Sequence, residues 1–164
     1  MNTLYLIGGP MGVGKSTVAE LLKKELPAAV LLEGDWCWAM DPFVVDEATK
    51  AMVLDHITYL LNSFLGRGRF QNIIFSWVMP EQAILDAIIS RLDLRDYRVV
   101  GVTLVCSEAE LGRRLKKDIS AGLRRPDILE RSLLRLAACR ELHTQQIDTS
   151  GLSAEQVAER IKRL

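Results

Sequence analysis

Gly9-Pro10-Met11-Gly12-Val13-Gly14-Lys15-Ser16 is the stretch that orders the rest of the chain. It fits the Walker A pattern G-x-x-x-x-G-K-[ST]. An apolar run, Thr3 to Ile7, precedes it. A segment of helical spacing, Val18 to Leu26, follows it, with Val18, Leu21, Leu22 and Leu26 on one face and Pro27 as its stop. Strand, glycine-rich turn and helix in that order build a phosphate cradle. Glycines allow backbone angles that aim successive N–H groups inward, and the helix start adds positive potential there. The spacing lets Lys15 reach the β- and γ-phosphates as a point charge and lets the Ser16 hydroxyl ligate Mg²⁺. Gly9, Gly12, Val13, Gly14, Lys15, Ser16 and Thr17 are the candidate nucleotide-binding residues of this turn. Thr17 lies just outside the strict motif, and Pro10 has no N–H to donate. The bland alternative is a chance glycine turn containing Lys-Ser, expected in roughly one chain in a hundred of this size from average residue usage.

The 164 residues suffice for one compact domain. Hydrophobic residues make up 49% and charged residues 26%, which argues against disorder. Twenty-one basic residues balance 21 acidic ones. That balance leaves no electrostatic footprint for duplex nucleic acid or an anionic membrane, so neither is expected as a partner. Three widely spaced cysteines, Cys37, Cys106 and Cys139, exclude a disulfide framework and a four-cysteine zinc site, and read as core fillers. The start of the chain, Met1 to Ile7, lacks the basic flank and long apolar region of a secretory signal, and a cytoplasmic location is expected.

Strand-like and helix-like runs alternate to the end. Ala29 to Leu32, Asn72 to Val78, Val99 to Val105 and Gln145 to Asp148 read as further strands. Ala48 to Leu65 reads as a long helix with Met52, Val53, Ile57, Leu60, Leu61 and Phe64 on one stripe, ended by Gly66 and Gly68. Further helices are expected after Pro80, over Glu108 to Ile119, over Asp127 to Leu142 with Asp127 as cap, and after Ser153, where Gln156 completes a capping box. Five strands alternating with helices predict an α/β fold: a parallel sheet with helices on both faces, in three α/β/α layers. Ligands of such sheets sit beyond the carboxyl ends of the strands.

With the cradle placed, the chain resembles the P-loop kinase superfamily of small phosphotransferases. The nearest groups are chloramphenicol phosphotransferase, shikimate kinase, gluconate kinase and adenylate kinase. The resemblance implies a single domain over residues 1–164, strand order 2-3-1-4-5, a short helical lid over about 112–127 and an acceptor-binding arm over about 36–68. Glu110-Leu111-Gly112-Arg113-Arg114-Leu115 is similar to the stretch that opens the lid, where an arginine stacks on adenine; Arg114 is that candidate. Arg124-Arg125-Pro126 would close the lid, with Arg125 contacting the transferred phosphoryl group. Asp118 stands where a second arginine commonly appears, and Lys116 and Lys117 read as a solvated helix face. Asp148-Thr149-Ser150 resembles a segment that runs past the adenine, which makes Asp148 and Thr149 cofactor-binding candidates through backbone contacts.

The acceptor side follows the second strand, at Leu32-Glu33-Gly34-Asp35-Trp36. Related kinases keep a carboxylate here that takes or orients the proton of the attacking hydroxyl. Asp35 is the candidate base and, with Ser16, a candidate metal ligand; it could equally cap the turn Trp36 to Met40. Glu33 faces the same cleft or lies on the surface. Trp36, Trp38, Phe43 and Trp77 gather near one mouth, as core or as the wall of an acceptor pocket. Ile73-Ile74-Phe75-Ser76-Trp77 carries no Walker B aspartate, so Mg²⁺ must rely on Ser16, the phosphates, water and Asp35 or Ser76. His56 and His143 read as packing or surface residues. The expected activity is an ATP-dependent transfer of the γ-phosphoryl group to a hydroxyl of a small molecule, by Lys15, Asp35, Arg114 and Arg125, in a monomer or homodimer. Its rivals are a nucleoside or nucleotide kinase and a nucleotide-binding regulator without turnover.

Overall fold

The apolar runs become strands because each is covered on both sides, so the pattern that decides their place is which neighbour fills which face. The computed structural model describes residues 1–164. Five strands, β1 (Asn2–Gly8), β2 (Ala29–Glu33), β3 (Asn72–Ser76), β4 (Tyr97–Val105) and β5 (Gln145–Asp148), form one sheet in the order β2-β3-β1-β4-β5. Every pairing is parallel. The expected fold class and strand order are those observed.

Six helices link the strands: α1 (Lys15–Glu25), α2 (Glu47–Leu65), α3 (Gln82–Ile89), α4 (Glu108–Ser120), α5 (Ile128–Cys139) and α6 (Ala154–Lys162). A single 3₁₀ turn covers Gly34–Trp38. The alternation along β1 divides the core. Tyr5 and Ile7 join Val18 and Leu22 of α1, Leu111 and Leu115 of α4 and Val157 and Ile161 of α6 on one face. Leu4 and Leu6 join Val53, Ile57 and Leu61 of α2 and Leu85 and Ile88 of α3 on the other. Helix α5 serves both, with Leu136 in the first cluster and Cys139 in the second. No helix is long and apolar enough to cross a membrane.

Local chemistry sets the helix starts. Asp46 accepts the Thr49 N–H at 2.8 Å while Thr49 Oγ1 accepts the Asp46 N–H at 2.9 Å, a closed capping box that begins α2. The same box forms at α6 between Ser153 and Gln156, as the spacing predicts. Asp127 departs from expectation: it stands before α5, but its backbone is already helical (φ −64°, ψ −16°) and its side chain caps nothing. It pairs instead with Arg131 at 3.3 Å. Met52 leaves the expected inner stripe of α2 and is 39% exposed, because Val53, Ile57, Leu61 and Leu65 define the buried line. Helix α1 begins earlier than its apolar spacing suggested, since the glycine turn feeds directly into Lys15.

Leu61 is wholly buried between α2 and the sheet. Leu61→Ala should destabilise the fold by about 2–5 kcal/mol through lost transfer energy and the cavity left behind. Met52→Ala should stay within about 0.5 kcal/mol. Urea unfolding followed by circular dichroism measures both.

Candidate active site

The turn after β1 is shaped by what presses on it. Gly9 has φ +141°, and a Cβ there would sit 2.6 Å from the Leu104 carbonyl oxygen of β4. Gly12 has φ +87°, and its Cβ would meet Leu115 Cδ2 of α4 at 2.7 Å. Both positions therefore exclude a side chain twice, by backbone angle and by contact. Gly14, at φ +103°, precedes α1 without a side-chain cap. The first N–H groups of α1 thus face the cradle unclaimed, ready for an anion. Lys15 Nζ donates to the Pro10 carbonyl at 2.9 Å. The proline that cannot line the nest with an N–H holds the lysine with its C=O instead. Burial lowers the Lys15 pKa to about 8; Asp35 and Glu33 oppose that shift and Arg124 adds to it.

The carboxylate side rises from β2. Glu33 ends that strand in register with Ser76, the last residue of β3. Burial raises the Glu33 pKa above its usual value, the Ser76 and Ser16 hydroxyls work against that rise, and nearby Asp35 adds to it. Ser76 is fully buried, and its Oγ has no hydrogen-bond partner. The two hydroxyls therefore face the Glu33 carboxylate without closing on it. Asp35 follows in the 3₁₀ turn and is exposed; Glu33, not Asp35, holds the position before that turn. Ser16, Glu33, Ser76 and Asp35 are all oxygen donors, the set that suits Mg²⁺. No group of three or more His, Cys, Asp or Glu residues gathers as a metal cage. These residues fit an ion shared with phosphate oxygens, and the orphaned Ser76 Oγ is the atom that fit would satisfy.

The arginine side comes from α4, α5 and the end of β5. Arg114 donates to Glu110 Oε1 (2.8 Å), the Val13 carbonyl (3.1 Å), Thr149 Oγ1 (3.3 Å) and the Thr149 carbonyl (3.4 Å). It thereby ties the cradle to the segment after β5. Thr149 is buried, and its N–H reaches the Val105 carbonyl at 2.8 Å. The Asp148 carboxylate accepts the Ser150 N–H at 2.8 Å, which holds its pKa below the usual value. The side chains of both residues shape this segment, and the Thr149 backbone is engaged too, its N–H by the Val105 carbonyl and its carbonyl by Arg114 and the Leu152 N–H. Arg124 pairs with Asp118 at 3.0 Å and lies near enough to act on the charge of Lys15. Arg125 is exposed and makes no ion pair; its carbonyl accepts the Ile128 N–H at 3.2 Å. Of the two neighbours, the structure turns Arg124 inward. Asp118, which replaces the commoner arginine, is what holds it.

Glu33 takes the first of the two places its position after β2 allows, facing the cleft, and its pairing with Ser76 follows from the strand order. One residue lies outside the sequence reading. Arg135 lies on the inner line of α5 with Ser132 and Leu136, and its Nη1 reaches Met11 Sδ of the cradle at 3.6 Å. A charge within a buried helical stripe was its signal. Lys116 and Lys117 are exposed, as expected of a solvated face, and so are His56 and His143. Trp77 lies on Gly34 so closely that a Cβ there would be 2.3 Å from its Cγ. Trp38 and Phe43 have ring centroids 5.8 Å apart.

The sequence pattern of the AAA domain family matches residues 6–130. No curated protein matches the chain in sequence. Among solved structures, the tunicamycin resistance protein of Deinococcus radiodurans is similar, with 25% identity, 99% of this chain and 95% of that one covered, and a TM-score of 0.71. A gluconokinase from Sinorhizobium meliloti shares the fold at 18% identity, covering 97% and 89% of the two chains, with a TM-score of 0.71. The shikimate kinase of Acinetobacter baumannii, solved in complex with shikimate, does so at 21% identity, 99% and 92% coverage and a TM-score of 0.65.

A cradle whose lysine titrates near 8 has a pH signature. Phosphate favours the ammonium form, so binding above that pH must take up a proton. Affinity for inorganic tripolyphosphate should hold steady below pH 7.5 and fall above pH 8, by an amount approaching about tenfold per unit. Calorimetry in buffers of different ionisation enthalpy reads the proton uptake directly. Lys15→Met should weaken binding at pH 7 by about 1.5–3 kcal/mol and flatten the pH dependence.

Proposed function

The chain belongs to the AAA domain family, and we propose that it is an Mg²⁺–ATP-dependent kinase that phosphorylates a hydroxyl of a small molecule. Its fold is that of the P-loop small-molecule kinases. The observation that carries the reading is the meeting, at one end of the sheet, of a half-buried lysine in a glycine cradle with carboxylates on one flank and arginines on the other. A binding module needs the cradle alone. A phosphotransferase also needs an acceptor-side carboxylate and positive charge where the transferred group carries its own.

The roles follow from position. The N–H groups of residues 12–16 and Lys15 hold the phosphate tail, while Ser16 and Glu33, with Ser76 behind them, hold the metal side. Arg114 has its in-plane donors occupied by Glu110, Val13 and Thr149, which leaves the guanidinium faces free for a flat ring such as adenine. Arg124, Arg125 and Arg135 border the phosphates from the α4–α5 side, and the lid over about 112–127 carries the first two. Asp35 orients the acceptor hydroxyl. A weak base suffices there, because the loose transition state keeps the hydroxyl proton in place until late. When bound, the nucleotide would supply the phosphoryl group and Mg²⁺ would offset the charge on its oxygens. Closure of the lid over the cleft keeps water from taking the acceptor's place.

ADP release measured across a panel of alcohols tests the reading. Asp35→Asn should lower kcat by about 10²- to 10⁴-fold with ATP affinity little changed. Lys15→Ala should lose ATP binding as well. ATP binding with no ADP release above background for any acceptor, in wild type and Asp35→Asn alike, would leave a nucleotide-binding regulator as the better account.

A further inference from the structure

The arm between β2 and β3 carries a composition that the phosphate chemistry does not use. Trp36 and Phe43 are 60% and 65% exposed, and Val45 beside them is 55% exposed. Apolar side chains this large are not left in water as a contiguous run without a partner or ligand. The run begins next to Asp35 and continues through Trp38, which stacks at a tilt on Phe43. Trp77 completes the mouth from the end of β3, pressed onto Gly34 and 6.3 Å from Phe75. Trp36 follows Asp35 directly in the chain, and Trp77 packs on Gly34, the residue just before it, so the aromatic stretch adjoins the carboxylate proposed above to orient the acceptor.

Charge narrows the class of molecule. From Glu33 to Leu65 the chain has six acidic residues, Glu33, Asp35, Asp41, Asp46, Glu47 and Asp55, and one basic residue, Lys50. That lysine is bound to Glu47 at 2.9 Å. Arg67 and Arg69 follow the end of α2, about 28 Å along the helix from its start. They lie beside Asn72, at the edge of the sheet where β3 begins, opposite the end where Glu33 and Ser76 sit. No cation of the arm can grip an anionic acceptor. A cationic acceptor finds few free partners either, since Asp46 caps α2, Glu47 holds Lys50 and Asp55 pairs with Arg91 at 2.8 Å.

We propose that the acceptor is an uncharged, hydroxyl-bearing molecule with an aromatic or otherwise apolar body, received by Trp36, Trp38, Phe43 and Trp77 with its hydroxyl toward Asp35. This rests on the kinase reading for the fate of the hydroxyl, but not for the binding of the body. Anionic acceptors, such as carboxylated or phosphorylated ones, are disfavoured by the arm's own field.

The three tryptophans of the chain are Trp36, Trp38 and Trp77, so intrinsic fluorescence reports this site alone. The full-length protein is titrated with matched alcohols that share an aromatic body and differ by carrying no charge, a carboxylate, a phosphate or an amine, with a polyol as control. ADP release with ATP is followed in parallel. The uncharged aromatic alcohol should bind at least tenfold tighter than its anionic counterparts and the polyol. Phe43→Ala, which keeps every tryptophan, should weaken it by at least tenfold, and Trp36→Ala should raise its KM while ATP affinity is retained. Equal or tighter binding of the carboxylate, phosphate or amine compound overturns the proposal, as does a fluorescence unchanged by every member. Fluorescence response to the uncharged alcohol without ADP release from any acceptor removes the kinase reading and leaves the site standing. ADP release with an anionic acceptor does the reverse.

Discussion

A lysine ammonium held out of water by a glycine turn is the constraint around which this protein is arranged. Removing that charge from solvent is costly unless oxygen atoms replace the water. The Pro10 carbonyl supplies one at 2.9 Å, and Asp35 and Glu33 supply negative potential from the end of β2, with β3 between. The turn keeps its shape because β4 and α4 occupy the space where side chains at Gly9 and Gly12 would go. A phosphate tail satisfies the same demand better than the protein does. The cradle therefore presents a charge matched to an anionic counter-ion.

The strand order divides the remaining chemistry. From β1 the chain goes first to β2 at one edge, returns through β3, and then crosses to β4 and β5 on the other side. Carboxylates, the orphaned Ser76 hydroxyl and the aromatic arm belong to the first flank. Arg114, Thr149 and the α4–α5 arginines belong to the second. Ligands of open α/β sheets bind where such crossovers part, and here the parting places opposite charges on opposite banks of one cleft. Helix α4 has two tasks: Leu111 and Leu115 pack in the core beneath the turn, and one face over Glu110 fixes Arg114. Glu110, pulled down to about pKa 2 by Arg113 and Arg114, remains ionised at any physiological pH and keeps that arginine aimed.

Much of this was legible before any coordinates. The β1–turn–α1 unit is a local signal, with every residue of the motif within one strand end and one helix start. The four apolar strand runs, the capping box at Ser153 and the alternation of strand and helix are local in the same sense. Glu33 was not legible, because a carboxylate ending a strand reads equally as cleft or surface until its neighbour is known to be Ser76. Arg124 and Arg125 are adjacent and identical in type, so no pattern in the chain chooses between them. Asp118 chooses, six residues away, through a 3.0 Å ion pair. Arg135 is a charge within the buried stripe of α5, and only the seating of that helix against Met11 turns it toward the cradle. Asp127 failed as a cap because cap geometry depends on a backbone angle that residue type alone does not set.

Residue order alone determined the phosphate turn, the parallel α/β class and the strand ends at which chemistry would collect, since hydrophobic period and glycine placement act over a few neighbouring residues. Tertiary structure alone decided which oxygen donors face Ser16, which arginine of the pair lies near Lys15, and that Trp77 from the end of β3 packs on Gly34 beside Asp35. The reason is distance along the chain. Contacts between residues tens of positions apart depend on how crossovers stack the strands, and that is settled by the packing of the whole core.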